Sequence, residues 1–272
     1  MSHQYPSVFN RPLKQRLAQW LIWTGIGVFT IYCLVQLGFF NFYMISSGLG
    51  KLYGVVSFML PPAAHGRFLV FLKAIFETLG MAFLGTLLAT LIALPTGFLG
   101  AKNVVGNRIF HFSLRRLFDF LRGIDALIWA LVWINVVGLG PFAGILAIGC
   151  SVSGELAKLF SEAIENVDRK QIDGVRASGA NMVQTMRFAI WPQVFPVILS
   201  TSLYYFESNT RSATILGIVG AGGIGLQLAD RIRVLAWDQA SLIIVMILVT
   251  VYLIDALSNK IRHHFIEAKE IA

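Results

Sequence analysis

Uncharged stretches recur along this chain, among them residues 17–50, 78–101, 126–154, 188–206 and 239–254. A helix needs about 20 predominantly apolar residues to cross a bilayer, and several of these runs are long enough. They are continuous, whereas the strands of a membrane barrel alternate in polarity, so a barrel is excluded. Where no water is available the backbone must bond to itself, so the runs are predicted to be helices. Charged residues make up only 13% of the 272 and mean hydropathy is +0.71. A soluble domain carries about 25% charge, so this chain lacks the charge to cover a water-facing surface. The expectation is an all-α membrane protein with about six transmembrane helices.

Residues 1–16 read as a polar arm, 17–266 as the membrane domain and 267–272 as a tail. The basic flank before residue 17 precedes an apolar run far longer than a signal peptide's apolar core, so a retained first span is expected over 17–40. A connection follows over 41–72, with Gly48, Gly50, Pro61 and Pro62, and then a span over 73–99. The run 126–154 is too long for one helix, and Gly138-Leu-Gly-Pro141 breaks it. A helical hairpin is predicted, 117–138 and 142–164, with full crossing of both arms left open. Later spans are expected at 193–219 and 238–258, joined by a polar connection over 220–237.

Counted on this scheme, 15 Lys and Arg fall on the side of the N-terminus and 4 on the other. The inner set is Arg11, Lys14, Arg16, Lys102, Arg108, Arg115, Arg116, Arg122, Arg169, Lys170, Arg176, Arg187, Lys260, Arg262 and Lys269. The outer set is Lys51, Arg67, Arg231 and Arg233. That bias predicts both termini in the cytoplasm. The net charge of +8 is therefore topology, with membrane lipid as the partner and no nucleic acid. Apart from the adjacent pair His263 and His264, neither the five scattered or terminal histidines nor the two cysteines, Cys33 and Cys150, have metal or disulfide spacing. No G-x-x-x-x-G-K-[ST] occurs, so no P-loop ATP site is expected in this chain. No nucleophile–base set stands out for an enzyme, and no inverted repeat for an ion-coupled secondary transporter. Glu77 and Asp125 near the span ends admit proton coupling or boundary ion pairs.

The most polar segment, 165–192, contains Asp173-Gly174-Val-Arg176-Ala177-Ser-Gly179-Ala180-Asn181, ending at Ile190-Trp-Pro192. An acidic residue, a glycine six positions later and a proline thirteen further on resemble the "EAA" loop of ABC importer permeases. Here Asp replaces the usual Glu and Gly174 the usual first Ala; Asp can still open a helix. Such a loop implies a short surface helix, a turn at Gly179 and a second helix opening near Pro192. It would dock into a cytosolic ATPase, which would hold ATP and Mg; this chain would bind no cofactor.

Downstream, Phe206-Glu-Ser-Asn-Thr-Arg-Ser-Ala-Thr-Ile-Leu-Gly-Ile-Val-Gly-Ala-Gly-Gly-Ile-Gly225 is similar to permease subunits of phosphonate and phosphite importers. These fall within a wider type I group that includes methionine importers. The resemblance covers roughly 68–266. It implies a bacterial inner-membrane permease for a small phosphorus oxyanion. It implies a second permease copy, two ATPases and an extracytoplasmic solute-binding protein; a heterodimer and another small solute stay open. At 100° per residue, Tyr204, Glu207, Ser208 and Arg211 share one arc of α-helix, with Glu207 and Arg211 in the favourable i, i+4 order. Either this face, with Ser212 and Thr214, lines a translocation path, or the ion pair only orients the helix. Gly220, Gly222, Gly223 and Gly225 predict irregular backbone, as a gate-proximal turn or as close packing.

Overall fold

A computed structural model describes residues 13–39, 41–105 and 107–267, so the expected arm and tail fall largely outside the described residues. The described residues fall into two compact units, one up to Phe58 and one from Met59. In the first, α1 (Leu13–Gln36) exposes Trp20, Trp23, Phe29 and Tyr32 around its whole circumference. A helix apolar on every side suits lipid. The expected connection 41–72 contains instead a second helix, α2 (Phe42–Phe58). Gly48 and Gly50 do not end it, since each glycine costs a helix only about 1 kcal/mol against alanine.

The second unit runs through α3 (Phe68–Gly100), α4 (Arg108–Gly123), α5 (Ala126–Val137), α6 (Pro141–Glu165) and α7 (Arg169–Ala177). It continues through α8 (Met182–Thr185), α9 (Trp191–Leu216), α10 (Gly223–Arg233) and α11 (Trp237–Glu267). π-Helical turns at Met186–Ile190 and Gly217–Ala221 flank α9. Among the described residues there is no strand. Among the described residues four helices, α1, α3, α6 and α11, are long and apolar enough to span; counting two bent pairs as spans gives six.

The core is a seam between α3 and α6. α3 buries Ala82, Gly85, Ala89, Ala93 and Gly97 on one stripe, and α6 answers with Ala143, Ala147, Ile148, Ala157 and Phe160. Small residues let helix backbones approach closely where lipid supplies no hydrophobic drive. A Cβ at Gly85 would sit 2.8 Å from Ile148 Cβ, and one at Gly97 2.9 Å from Phe160 Cβ. Alanine stripes therefore fix the distance between the two helices.

The break at Gly138-Leu-Gly-Pro141 forms as expected, with Gly140 at φ 140° and Pro141 in the first turn of α6. The arm 117–138 does not form one helix: α4 and α5 meet at 85°. Asp125 causes the bend, since its side chain accepts from Leu127 N at 2.8 Å and caps α5 while its own backbone is extended. The connection 220–237 is likewise helical over most of its length, as α10.

Candidate functional site

The polar segment folds as a short helix, a turn and a long helix. α7 is capped by Asp168, which accepts from Lys170 N at 2.9 Å. Asp173, expected to open the helix, lies in its middle beside Gly174, Arg176 and Ala177, all exposed. Ile172 is the residue α7 buries. Gly179 takes φ 85°, as the expected turn requires. The next helix starts ten residues before Pro192 rather than beside it. Asn181 accepts from Gln184 N, and Gln184 Oε1 accepts from Asn181 N, both at 2.9 Å, a capping box that opens α8 at once, with Ala180 before it. Pro192 is then carried inside continuous helix. The π-turn just before it, where Trp191 N bonds Met186 O, opens the ladder where proline would clash.

α9 has two unlike faces. One packs inward: Asn209 Nδ2 donates to Thr86 Oγ1 of α3 at 2.8 Å, with Thr210, Ala213 and Leu216 buried beside it. The other holds Tyr204, Glu207, Ser208 and Arg211, the arc expected from helical geometry. Tyr204 and Arg211 are exposed, the Arg211 side chain at 49%. Arg211 Nη1 donates to Glu207 Oε1 at 3.2 Å. Ser212 sits at the margin and bonds back to Ser208 O. Thr214 departs from the set: it turns toward a narrow cleft with Thr78, Thr210 and Thr250. A partner of Glu207 came unheralded by spacing: Arg262 of α11 brings Nη2 to 3.9 Å from Glu207 Oε2. Arg262 lies beyond the expected end of the last span at 258, but α11 runs past that point.

The glycines behave as a built turn. Gly220, Gly222 and Gly223 all have positive φ, between 69° and 112°. Gly225 serves close approach instead, since a Cβ there would collide with the Thr214 carbonyl. Gly217, not singled out from the sequence, does the same against Gly222 O. The turn docks on the break between α5 and α6. Gly140 N donates to Gly220 O at 3.1 Å, and Pro141 abuts Gly222. The two irregular points, eighty residues apart in sequence, thus stabilise each other's backbone.

Two ionic clusters were not anticipated as units. Asp119 accepts from Lys158 Nζ at 3.0 Å and from Arg116 Nη1 at 3.2 Å. Beside them Arg122, Glu155, Lys158, Glu162 and Tyr205 border an open cavity of about 470 Å³. At the far end of α6, Glu165 Oε1 accepts from Lys102 N and Arg115 Nη2, each at 2.9 Å, which ties α4 to α6.

Comparison with known proteins gives one family and one fold. The family model "binding-protein-dependent transport system inner membrane component" matches residues 93–266. HtxC of Stutzerimonas stutzeri, named as a phosphite transport system permease, is 36% identical over 229 residues, 84% of this chain and 81% of its own length. The phosphite transport system permease PtxC of the same organism is 32% identical, over 88% of this chain and 86% of its own length. Among solved structures, an inward-facing form of the MetNI methionine ABC transporter matches at TM-score 0.65 and 22% identity. That match covers 75% of this chain and 99% of the MetNI chain.

Proposed function

The chain belongs to the family of binding-protein-dependent transport system inner membrane components, the permeases of ABC importers, and from that premise we propose that it forms half of the path by which a small phosphorus oxyanion crosses the membrane. It is a multi-pass inner-membrane protein with the type I importer permease fold. The observation that carries the proposal is the outward face of α9. A charge within an apolar span is expensive and faces protein or water. Arg211 is half exposed on that face, where the other described residues of the second unit leave it open. A second permease, a copy of this chain or a related one, would close over this face and make it the wall of a path. A guanidinium offers the donors that a phosphorus oxyanion requires. The glycine turn, docked on the break before α6, would lie at the gate.

Movement would come from outside the chain. Residues 165–192 would be gripped by cytosolic ATPase subunits that hold ATP and Mg, and solute would arrive on an extracytoplasmic binding protein. Exposed Met182, Val183 and Phe188 beside α7 supply apolar area for that grip. Both termini lie in the cytoplasm on this reading. The experiment is reconstitution of the permease in lipid vesicles with its ATPase and binding protein. Uptake of phosphite is expected only when ATP and all components are present. Uptake by the permease alone on an ion gradient would overturn the proposal in favour of a secondary transporter.

A further inference from the structure

Two arginines from different helices meet one carboxylate on the outward face of α9. Arg211 holds Glu207 through Oε1 at 3.2 Å. Arg262 faces the other oxygen, Oε2, from 3.9 Å, too far for a hydrogen bond. Nε and Nη2 of Arg262 are both buried and have no hydrogen-bond partner among the described residues. These two nitrogens form one edge of the guanidinium, the edge that matches the two oxygens of a carboxylate. Leaving such an edge buried and unmade costs free energy.

We propose that Glu207 alternates between the two arginines, and that Arg262 thereby decides when Arg211 is free to hold the transported oxyanion. A swing of the Glu207 side chain toward α11, by about 1 Å at the carboxylate, brings it to a normal charge-assisted distance from the Arg262 edge. That swing takes the carboxylate off Arg211. Arg211 is then an uncompensated cation on an open face, suited to a small anion with several oxygens. The return of Glu207 neutralises Arg211 and releases the anion. Arg262 never touches the anion in this scheme; it is a positioning residue that acts through Glu207. The inference rests on the path reading of this face given above.

A double-mutant cycle in the assembled vesicle system tests it, with ATP-driven phosphite uptake per complex as the readout. Arg262→Gln leaves Glu207 on Arg211, and uptake falls about tenfold, within the range of ordinary coupling energies. In a Glu207→Gln background the same change alters uptake less than about twofold, because the group it acts through is gone. Equal losses in the two backgrounds would overturn the proposal. Arg262→Lys keeps the charge but loses the planar edge, and it is expected to lose most of the activity lost by Arg262→Gln. Wild-type uptake by the lysine variant would also overturn it. If Arg262→Gln does not assemble, the lysine variant with and without Glu207→Gln completes the cycle. Absence of uptake by the unaltered complex would instead sink the transport reading, before any variant is compared.

Discussion

The seam between α3 and α6 and the outward face of α9 both lie in the apolar part of the chain, yet they are built of opposite materials. The seam uses Gly85, Ala89, Ala93 and Gly97 against Ile148, Ala157 and Phe160, all buried, with no charge. The face uses Tyr204, Glu207, Ser208 and Arg211, with much of it open. The first region is complete within one chain. The second is left open by the described residues, and on the proposed reading a second permease closes over it. Stability should therefore reside in the seam and transport in the face, and changes in the two should separate cleanly.

The largest effect is expected in the seam. Gly97→Leu places a Cβ 2.9 Å from Phe160 Cβ and 3.3 Å from the Ala157 carbonyl, roots of the opposite helix that cannot swing aside. Overpacking of this kind costs about 3 kcal/mol or more. Thermal unfolding in detergent would show the loss, with uptake falling only as folded protein falls. An unchanged melting temperature would mean that the seam opens readily, and the contrast would fail.

Next is the hydrogen bond that ties the inner face of α9 to α3. Thr86→Val removes the acceptor of Asn209 Nδ2 and strands a buried amide. An unsatisfied buried donor costs about 1–3 kcal/mol. The same melting measurement applies, and Thr86→Ser should retain most of the stability because it keeps the hydroxyl. Equal losses in the two variants would show that packing, not the hydrogen bond, holds this contact.

Arg211→Ala should reverse the pattern. The pair with Glu207 is half exposed and joins neighbouring turns of one helix, so it contributes only about 0.5 kcal/mol to stability. Uptake should fall about tenfold, equivalent to about 1.4 kcal/mol, while melting and assembly stay as they were. Unchanged uptake in an assembled complex would remove Arg211 from the path. A stability loss like that of Gly97→Leu would erase the distinction between the two regions.

The spans, the break at 138–141, the turn at Gly179 and the irregular glycines were legible in the sequence because each follows from local chemistry. Continuous apolarity, proline and positive-φ glycine act within a few residues. So was the Glu207–Arg211 pair, which needs only helical periodicity. What stayed hidden was made by distance. Nothing local says that Gly220 docks on Gly140, that Arg262 reaches Glu207, or that Lys158 meets Asp119. Some local signals were misweighed instead. Asp125 reads in the sequence as a site of proton coupling or a boundary ion pair, and in the structure it is the N-cap at an 85° bend. The Asn181–Gln184 capping box, four residues long and plain in the sequence, begins the helix that was placed near Pro192.

The smallest effect, with the opposite sign, is expected at another glycine. Gly85 and Gly97 are held by what stands opposite them, whereas a Cβ at Gly174 meets nothing within 4 Å. Gly174 lies in the interior of α7, exposed and with ordinary helical backbone. Alanine there loses less conformational freedom on folding, so Gly174→Ala should stabilise α7 by about 0.5–1 kcal/mol. Amide exchange along α7 in the isolated permease should slow by roughly two- to fivefold, with the global melting temperature nearly unmoved. Faster exchange would show that residue 174 needs the absence of a side chain. The free surface of α7 would then be constrained as the seam is, and openness could no longer be used to separate the parts of this chain that hold it together from the parts that face a partner.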